Sequence, residues 1–285
     1  MPPDFAEMNE NENADAEPVT VSMKGIKGEN IYICGGHFSL NTADDALHAN
    51  ASLQLDGGVF SLASGDDGVH AEETLIINGG DMTISKSYEG LEALHIRLNG
   101  GYTTLNADDD GLNAAGGTDQ SGFGGRDQFG GFGGRGGFGG RGAGNGSIEI
   151  NGGEVHITAY GDGIDANGYL KMTGGFVTVC GPIRGDTATL DYDTTAEIDG
   201  GTFIGSGAMG MAQTFSGGTQ GVIAVQVGSA PADTAVTLLD ADQKQVLSYA
   251  PPLEFNVLIL SSPDIVKGET YTLQVNDGRG TFTAQ

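Results

Sequence analysis

The chain has 285 residues, enough for one large domain or two modest ones. It carries 12 Lys and Arg against 38 Asp and Glu, a formal charge of −26, with 51 glycines and no tryptophan. So acidic a surface argues against general nucleic-acid binding, no stretch is apolar for long enough to insert in a membrane, and clustered carboxylates instead favour divalent cations.

Residues 1–20 are acidic and lack the apolar stretch of an export signal. They are predicted to be a disordered or truncated N-terminal segment, either of a cytoplasmic protein or of a piece of a longer secreted chain. From there Gly-Gly pairs punctuate the sequence: Gly35-Gly36, Gly57-Gly58, Gly79-Gly80, Gly100-Gly101, Gly152-Gly153, Gly174-Gly175 and Gly200-Gly201. The first three spacings are 22, 22 and 21 residues, followed by 52, 22 and 26. Alternating apolar residues precede each pair (Leu53/Leu55, Leu75/Ile77, Ile96/Leu98, Ile148/Ile150) and follow most of them (Phe60/Leu62, Met82/Ile84, Val155/Ile157, Val177/Val179). That is the period of strands with one buried face. A third segment with a recurring small residue closes each repeat: Ala49, Ala71, Ala93, Ala114 and Ala166. One such repeat cannot bury its apolar face alone, but stacked repeats can. The expected fold is all-β: a right-handed parallel β-helix over residues 21–220, with about 22 residues per coil. Glycine pairs suit corners that need positive φ, and the Asx residues before them (Asp56, Asn78, Asn99, Asn151, Asp199) suit a stacked hydrogen-bonding column.

Residues 116–146 are about half glycine and contain Phe-Gly-Gly-Arg three times. They are predicted to form a flexible insert in one coil. Residues 221–285 lose the repeat. Val222 to Val227, Ala235 to Leu239, Leu258 to Leu260 and Thr270 to Val275 read as strands of a β-rich C-terminal cap that seals the open coil edge. Cys34 and Cys180 fall about five coils apart, roughly 24 Å at ~4.8 Å per coil, too far for a disulfide. Both are expected to be small buried or half-buried residues.

Nine residues beyond the second glycine of successive pairs stand Asp45, Asp67, Glu89, Asp110 and Asp162. The preceding position is also acidic at Asp44, Asp66 and Asp109, and three residues further on come His48, His70, Glu92, Asn113 and Asp165. Equal register means vertical stacking. Like charges about 5 Å apart repel by about 3 kcal/mol at an effective dielectric of ~20. Bound cations, raised pKa values or hydrogen bonds from turn amides must compensate. Calcium suits carboxylate oxygens and turn carbonyls, whereas the nitrogen and sulfur ligands of zinc look sparse. The candidate metal ligands are Asp44, Asp45, Asp66, Asp67, Glu89, Glu92, Asp109, Asp110, Asp162 and Asp165. A plainer role stands beside this: the ninth-position acids turn inward and cap backbone amides. The eighth and twelfth rows are expected outward, with His48 and His70 as solvated surface residues. The sixth coil puts Ile183-Arg184-Gly185-Asp186 where an acid should stand, so the row is expected to end there.

Three segments carry a resemblance: Ser64-Gly65-Asp66-Asp67-Gly68-Val69-His70-Ala71, Ser87-Tyr88-Glu89-Gly90-Leu91-Glu92, and Asp109-Asp110-Gly111-Leu112-Asn113-Ala114-Ala115-Gly116-Gly117. Near the end, Ser261-Ser262-Pro263-Asp264 and Lys267-Gly268-Glu269-Thr270-Tyr271-Thr272 add to it. In these the sequence resembles a family of bacterial carbohydrate-binding β-helix proteins, with coils like those of pectate lyases. The resemblance implies a secreted or surface-anchored protein that binds calcium and acidic plant polysaccharides such as polygalacturonate or pectin, with cellulose as a further ligand, and that has no established catalytic activity.

Three functions remain open on sequence. The first is a monomeric, non-catalytic binding protein in which calcium bridges its carboxylates to uronates and Tyr88, Tyr102, Tyr160 and Phe176 stack on sugar rings. Those four are otherwise ordinary outward aromatics. The second is a calcium-dependent polysaccharide lyase, which needs a base for the C5 proton. Lys86 and Arg184 are the basic residues expected near the acid rows. The third is a structural or adhesion protein with calcium as a staple.

Overall fold

A computed structural model describes residues 23–115 and 144–285. The expected N-terminal segment (residues 1–20) and nearly all of the expected glycine-rich insert lie outside the described residues. Gly146, the last residue assigned to that insert, instead opens a strand. Among the described residues there are strands and no helix, and hence no helix long and apolar enough to cross a membrane.

The strands wind into a parallel β-solenoid of about seven turns, with about 22 residues per turn. Three parallel ladders form its faces. The first joins the start of β2 (Leu47–Ala63), β3 (Val69–Ile77), β5 (Leu91–Leu98), β7 (Leu112–Asn113) and β10 (Ile164–Asp165), in the register Leu47↔Val69↔Leu91↔Leu112↔Ile164. The second continues through the same β2, β3 and β5 into β8 (Gly146–Ile150), β11 (Gly168–Met172) and β13 (Thr195–Ile198), as Leu53↔Leu75↔Ile96↔Ile148↔Leu170↔Ala196. The third runs from the end of β2 through β4 (Asp81–Ser87), β6 (Tyr102–Ala107), β9 (Glu154–Ala159), β12 (Phe176–Cys180) and β14 (Thr202–Gly207), as Phe60↔Met82↔Thr103↔Val155↔Val177↔Phe203. β1 (Ile26–Asn41) lies beneath β2 along its length. Each register row of apolar side chains is one layer of a continuous core.

The Gly-Gly corners have two separate requirements. The second glycine of each pair has positive φ, from 85° at Gly201 to 123° at Gly58. From Gly57 onward the first lies over the backbone of the coil below: a Cβ on Gly100 would stand 2.6 Å from the Asn78 carbonyl oxygen, and one on Gly152 2.5 Å from that of Asn99. The Asx residues form the expected column. Asn78 Nδ2 donates to Asp56 Oδ1 (2.7 Å), Asn99 Nδ2 to Asn78 Oδ1 (2.7 Å), Asn151 Nδ2 to Asn99 Oδ1 (2.9 Å), and Thr173 Oγ1 to Asn151 Oδ1 (2.8 Å). Asn99→Ala removes two of these neutral, exposed bonds. It should cost about 1 kcal/mol, seen as a fall of about 2–4 °C in Tm by calorimetry. An unchanged Tm would show that water replaces the column without loss.

At the C-terminal end, β18 (Phe255–Ser261) pairs antiparallel with β14 and, on its other side, with β15 (Val222–Ala230). β18 thus covers the last edge of the third ladder. A separate four-stranded antiparallel sheet follows the order β17 (Gln245–Tyr249), β16 (Val236–Leu239), β19 (Thr270–Val275), β20 (Gly278–Thr283). β17 and β20 were not expected from sequence, being polar or glycine-containing edge strands. Cys180 is buried, but Cys34 is exposed at the register shift that follows Ile33, against expectation.

Candidate functional site

The corner between the third and first ladders carries the acids. Backbone bonds stack it coil on coil: Ala46 N to Asp67 O (3.0 Å), Gly68 N to Glu89 O, Gly90 N to Asp110 O, Gly111 N to Asp162 O and Gly163 N to Ala188 O (each 2.9 Å). Asp45, Asp67, Glu89, Asp110 and Asp162 are therefore in one vertical row, as counted. The glycine after each of the last four serves the core. A Cβ on Gly68 would meet Ile84 Cδ1 at 2.6 Å, and one on Gly90 would meet Leu105 Cδ1 at 2.8 Å. The amide-capping role is real: Asp45 Oδ1 accepts from Asp67 N (3.2 Å), Asp110 Oδ1 from Asp162 N (2.6 Å), and Asp162 Oδ1 from Ala188 N.

The lower half of the column is mixed in charge. Lys24 Nζ lies 3.1 Å from Asp44 Oδ1 and 2.5 Å from Asp45 Oδ2, with both carboxylates buried. His48 Nδ1 lies 2.7 Å from Asp45 Oδ2, and its Nε2 lies 3.1 Å from Asn50 Oδ1. His70 Nδ1 lies 3.1 Å from Asp67 Oδ2 and 2.7 Å from Glu92 Oε2. The two rings stack at 4.8 Å, 5° from parallel. Three expectations are corrected here. His48 and His70 are not solvated: they are 3% and 1% exposed, because each ring covers the other. Asp44, in the row expected outward, is 1% exposed. Lys24, rather than Lys86 or Arg184, is the cation inside the acid rows; Lys86 is an exposed residue 4.0 Å from Asp108, and Arg184 sits in an exposed loop.

The upper half is all oxygen. Asp110, Asp162 and Asp165 each direct a carboxylate oxygen into one cluster, within 4.8 Å of one another. Asp109 Oδ1 and Asp110 Oδ1 both close over Gly161, filling the space a Cβ would take there. Burial and the neighbouring carboxylates Asp162 and Asp109 push Asp110 up to about 8; burial with Asp165 and Asp191 pushes Asp162 up to about 7. Asp165 is raised chiefly by burial, then by Asp191. Between the halves, Glu89 is raised by burial and by Glu92, Asp67 and Asp110, and it accepts from Asn113 Nδ2 at 2.8 Å. The ninth row does end in the sixth coil, but at Ala188; Ile183-Arg184-Gly185-Asp186 lies in an exposed loop before it. The twelfth row continues instead, with Asp165 bridged to Asp191. Counting from Gly174-Gly175 misses Asp191 because this coil is four residues longer.

The four candidate aromatics fall into two groups. Tyr88 stands in the eighth row: its N–H donates to Asp66 O and its carbonyl accepts from Asp109 N. Its hydroxyl donates to the Asp109 carboxylate, which raises the phenol pKa. Tyr160 lies next to Gly161 at the same corner, and Tyr88 and Tyr160 are 36% and 41% exposed. Tyr102 and Phe176 lie at the opposite end of the third ladder, both against His156, with ring centroids 5.5 and 5.9 Å away. These two do not share a surface with the acid column.

Residues 5–68 match the model of a family described as carbohydrate-binding domain-containing protein, a stretch that includes the corners of Asp44–Asp45 and Asp66–Asp67. No curated protein and no solved structure matches the chain. The family match supports carbohydrate binding.

Proposed function

We propose that the chain binds an acidic polysaccharide of the polygalacturonate type in a calcium-dependent and non-catalytic manner, as a monomer secreted to or held at the bacterial cell surface. The observation that carries this reading is the convergence of Asp110, Asp162 and Asp165, with Asp109 beside them, at a corner that also exposes Tyr88 and Tyr160. Three or four hard oxygens in a partly exposed cluster fit calcium, which takes six to eight oxygen ligands and accepts carbonyls, water or a sugar carboxylate for the remainder. Asp109, Asp110, Asp162 and Asp165 would hold it. A bound Ca2+ supplies the positive charge that lets an acidic protein approach a uronate. The lower half fits calcium less well, since Lys24 already neutralises Asp44 and Asp45, and imidazoles flank the rest.

In this reading Asp109 orients Tyr88 by accepting a hydrogen bond from its hydroxyl, and the two tyrosines offer apolar faces to sugar rings next to the charge. Cellulose, a neutral polymer, would engage the aromatic faces alone. The test is retention on immobilised polygalacturonate. The protein should be held in Ca2+, and retention should fall at least about tenfold, or about 1.4 kcal/mol, in EGTA and in Asp110→Asn/Asp162→Asn. Equal retention with and without chelator removes the calcium bridge and leaves carbohydrate binding to be located by a glycan array.

A further inference from the structure

The column contains a second kind of donor set, which the oxygen cluster does not explain. Asp67, His70 and Glu92 each place one ligand atom within 4.8 Å of the others. The Asp67 and Glu92 carboxyl groups come from successive coils, the latter from the ladder partner of His70. Both also reach the same imidazole nitrogen, His70 Nδ1, at 3.1 and 2.7 Å. One nitrogen proton can serve only one of the two. Two carboxylates and a nitrogen at such spacing approximate the edges of a tetrahedron, which are about 3.3 Å for metal–ligand bonds of ~2.0–2.1 Å.

The neighbours distinguish this trio from the rest of the column. Below it, Asp45 and His48 are already balanced by Lys24. Above it, the donors are oxygen alone. His48 stacks flat on His70 and fixes the plane of its ring. The His70 and Asp67 side chains are 2% and 5% exposed, whereas Glu92 is 18% exposed and forms the solvent side. One nitrogen and two oxygens suit a borderline cation, while calcium prefers oxygen throughout. We infer that Asp67, His70 and Glu92 form a binding site for a divalent transition cation of the zinc class, separate from the oxygen cluster one to two coils above. The cation sits between the imidazole and the two carboxylates.

The probe is Co2+, titrated into the full chain in excess Ca2+ and followed by visible absorption. Near-stoichiometric growth of the intense bands of four-coordinate Co2+ is expected, with affinity at least about tenfold weaker in His70→Gln and unchanged in His156→Gln, which removes a half-buried histidine beside Glu154, away from the acid column. Glu92→Gln leaves both stacked rings in place and should show the same loss, with an unaltered far-ultraviolet dichroism spectrum proving the fold. Weak six-coordinate bands alone, wild-type affinity in His70→Gln or in Glu92→Gln, or failure of the bands to form in the excess Ca2+ would each overturn the assignment. Loss of polygalacturonate retention bears only on the calcium reading, because the cobalt bands report this trio directly.

Discussion

Freed of divalent metal, the protein should lose thermal stability as pH rises from about 5 to 8, and Ca2+ should restore it. Asp110 and Asp162 are raised to about 8 and about 7, and Asp67, Glu89 and Asp165 are raised as well. Unfolded carboxyls titrate near 4. Between those limits the folded chain binds more protons than the unfolded one, so unfolding free energy falls as pH rises. Below about pH 4 both states are protonated and the slope from these groups vanishes. The net charge of −26 pushes in the same direction. Asp56, Glu149 and Asp199 shift the other way, but Asp56 and Asp199 are exposed and Glu149 is half-exposed, so solvent screens their effect. Calcium at a hundred times its Kd adds about 2.7 kcal/mol, a rise of about 5–10 °C in Tm for a chain of this size. The rise should be largest at pH 8, where protons no longer compete for the oxygens, and smallest at pH 5. Asp110→Asn should raise the metal-free Tm at pH 8 and blunt the calcium response. Calorimetry in EGTA and in Ca2+ at both pH values decides this, and a metal-free Tm that climbs with pH would refute the buried-carboxylate account.

Gly153→Ala should destabilise the solenoid by about 3 kcal/mol. Gly153 has φ +86°, a conformation that costs an L-residue roughly 1–2 kcal/mol. The added Cβ also meets the carbonyl carbon of Gly100 at 2.9 Å and the oxygens of Gly100 and Gly101 at 3.0 Å. These are backbone atoms of the coil below, which cannot rotate away, and such overpacking costs about 1–3 kcal/mol. Two other glycines separate the contributions. Gly268 has φ +82° with nothing within 4 Å, so Gly268→Ala should show the strain alone. Gly228 has open space and no positive φ, so Gly228→Ala should be nearly neutral. Urea melts of the three variants would rank them, and a Gly153→Ala chain no weaker than Gly268→Ala would mean that the coils spread apart easily.

The solenoid was legible because stacking ties spacing to position. With Gly-Gly as the origin, the ladder rows and the acid row through Asp162 fall where counting puts them. Counting fails where a coil changes length. The four extra residues before Ala188 shifted the frame and hid Asp191, although its acidic neighbourhood with Asp193 was a usable signal. Side-chain exposure was less legible. His70 lies between core residues Val69 and Ala71 and so points away from the core, which reads as solvent exposure in a single coil. The adjacent coils, with His48 on one side and Glu92 on the other, cover it. Lys24 was missed for the same reason: its partners Asp44 and Asp45 are one coil away.

The direction of the inter-coil bonds has a mechanical consequence. The backbone ladders between successive coils run along the solenoid axis. Tension between the two ends pulls on them lengthwise and opens one coil at a time, whereas a force across a coil must shear a whole ladder. The links are also unequal around the circumference. The Gly-Gly corner is tied largely by neutral side-chain amides, with a carboxylate at either end of the column, Asp56 and Asp199, whereas the acid corner has carboxylate-to-backbone-amide bonds from one coil to the next at Asp45, Asp110 and Asp162. An axial pull must therefore break these carboxylate bonds at the acid corner in addition to the ladder before two such coils part.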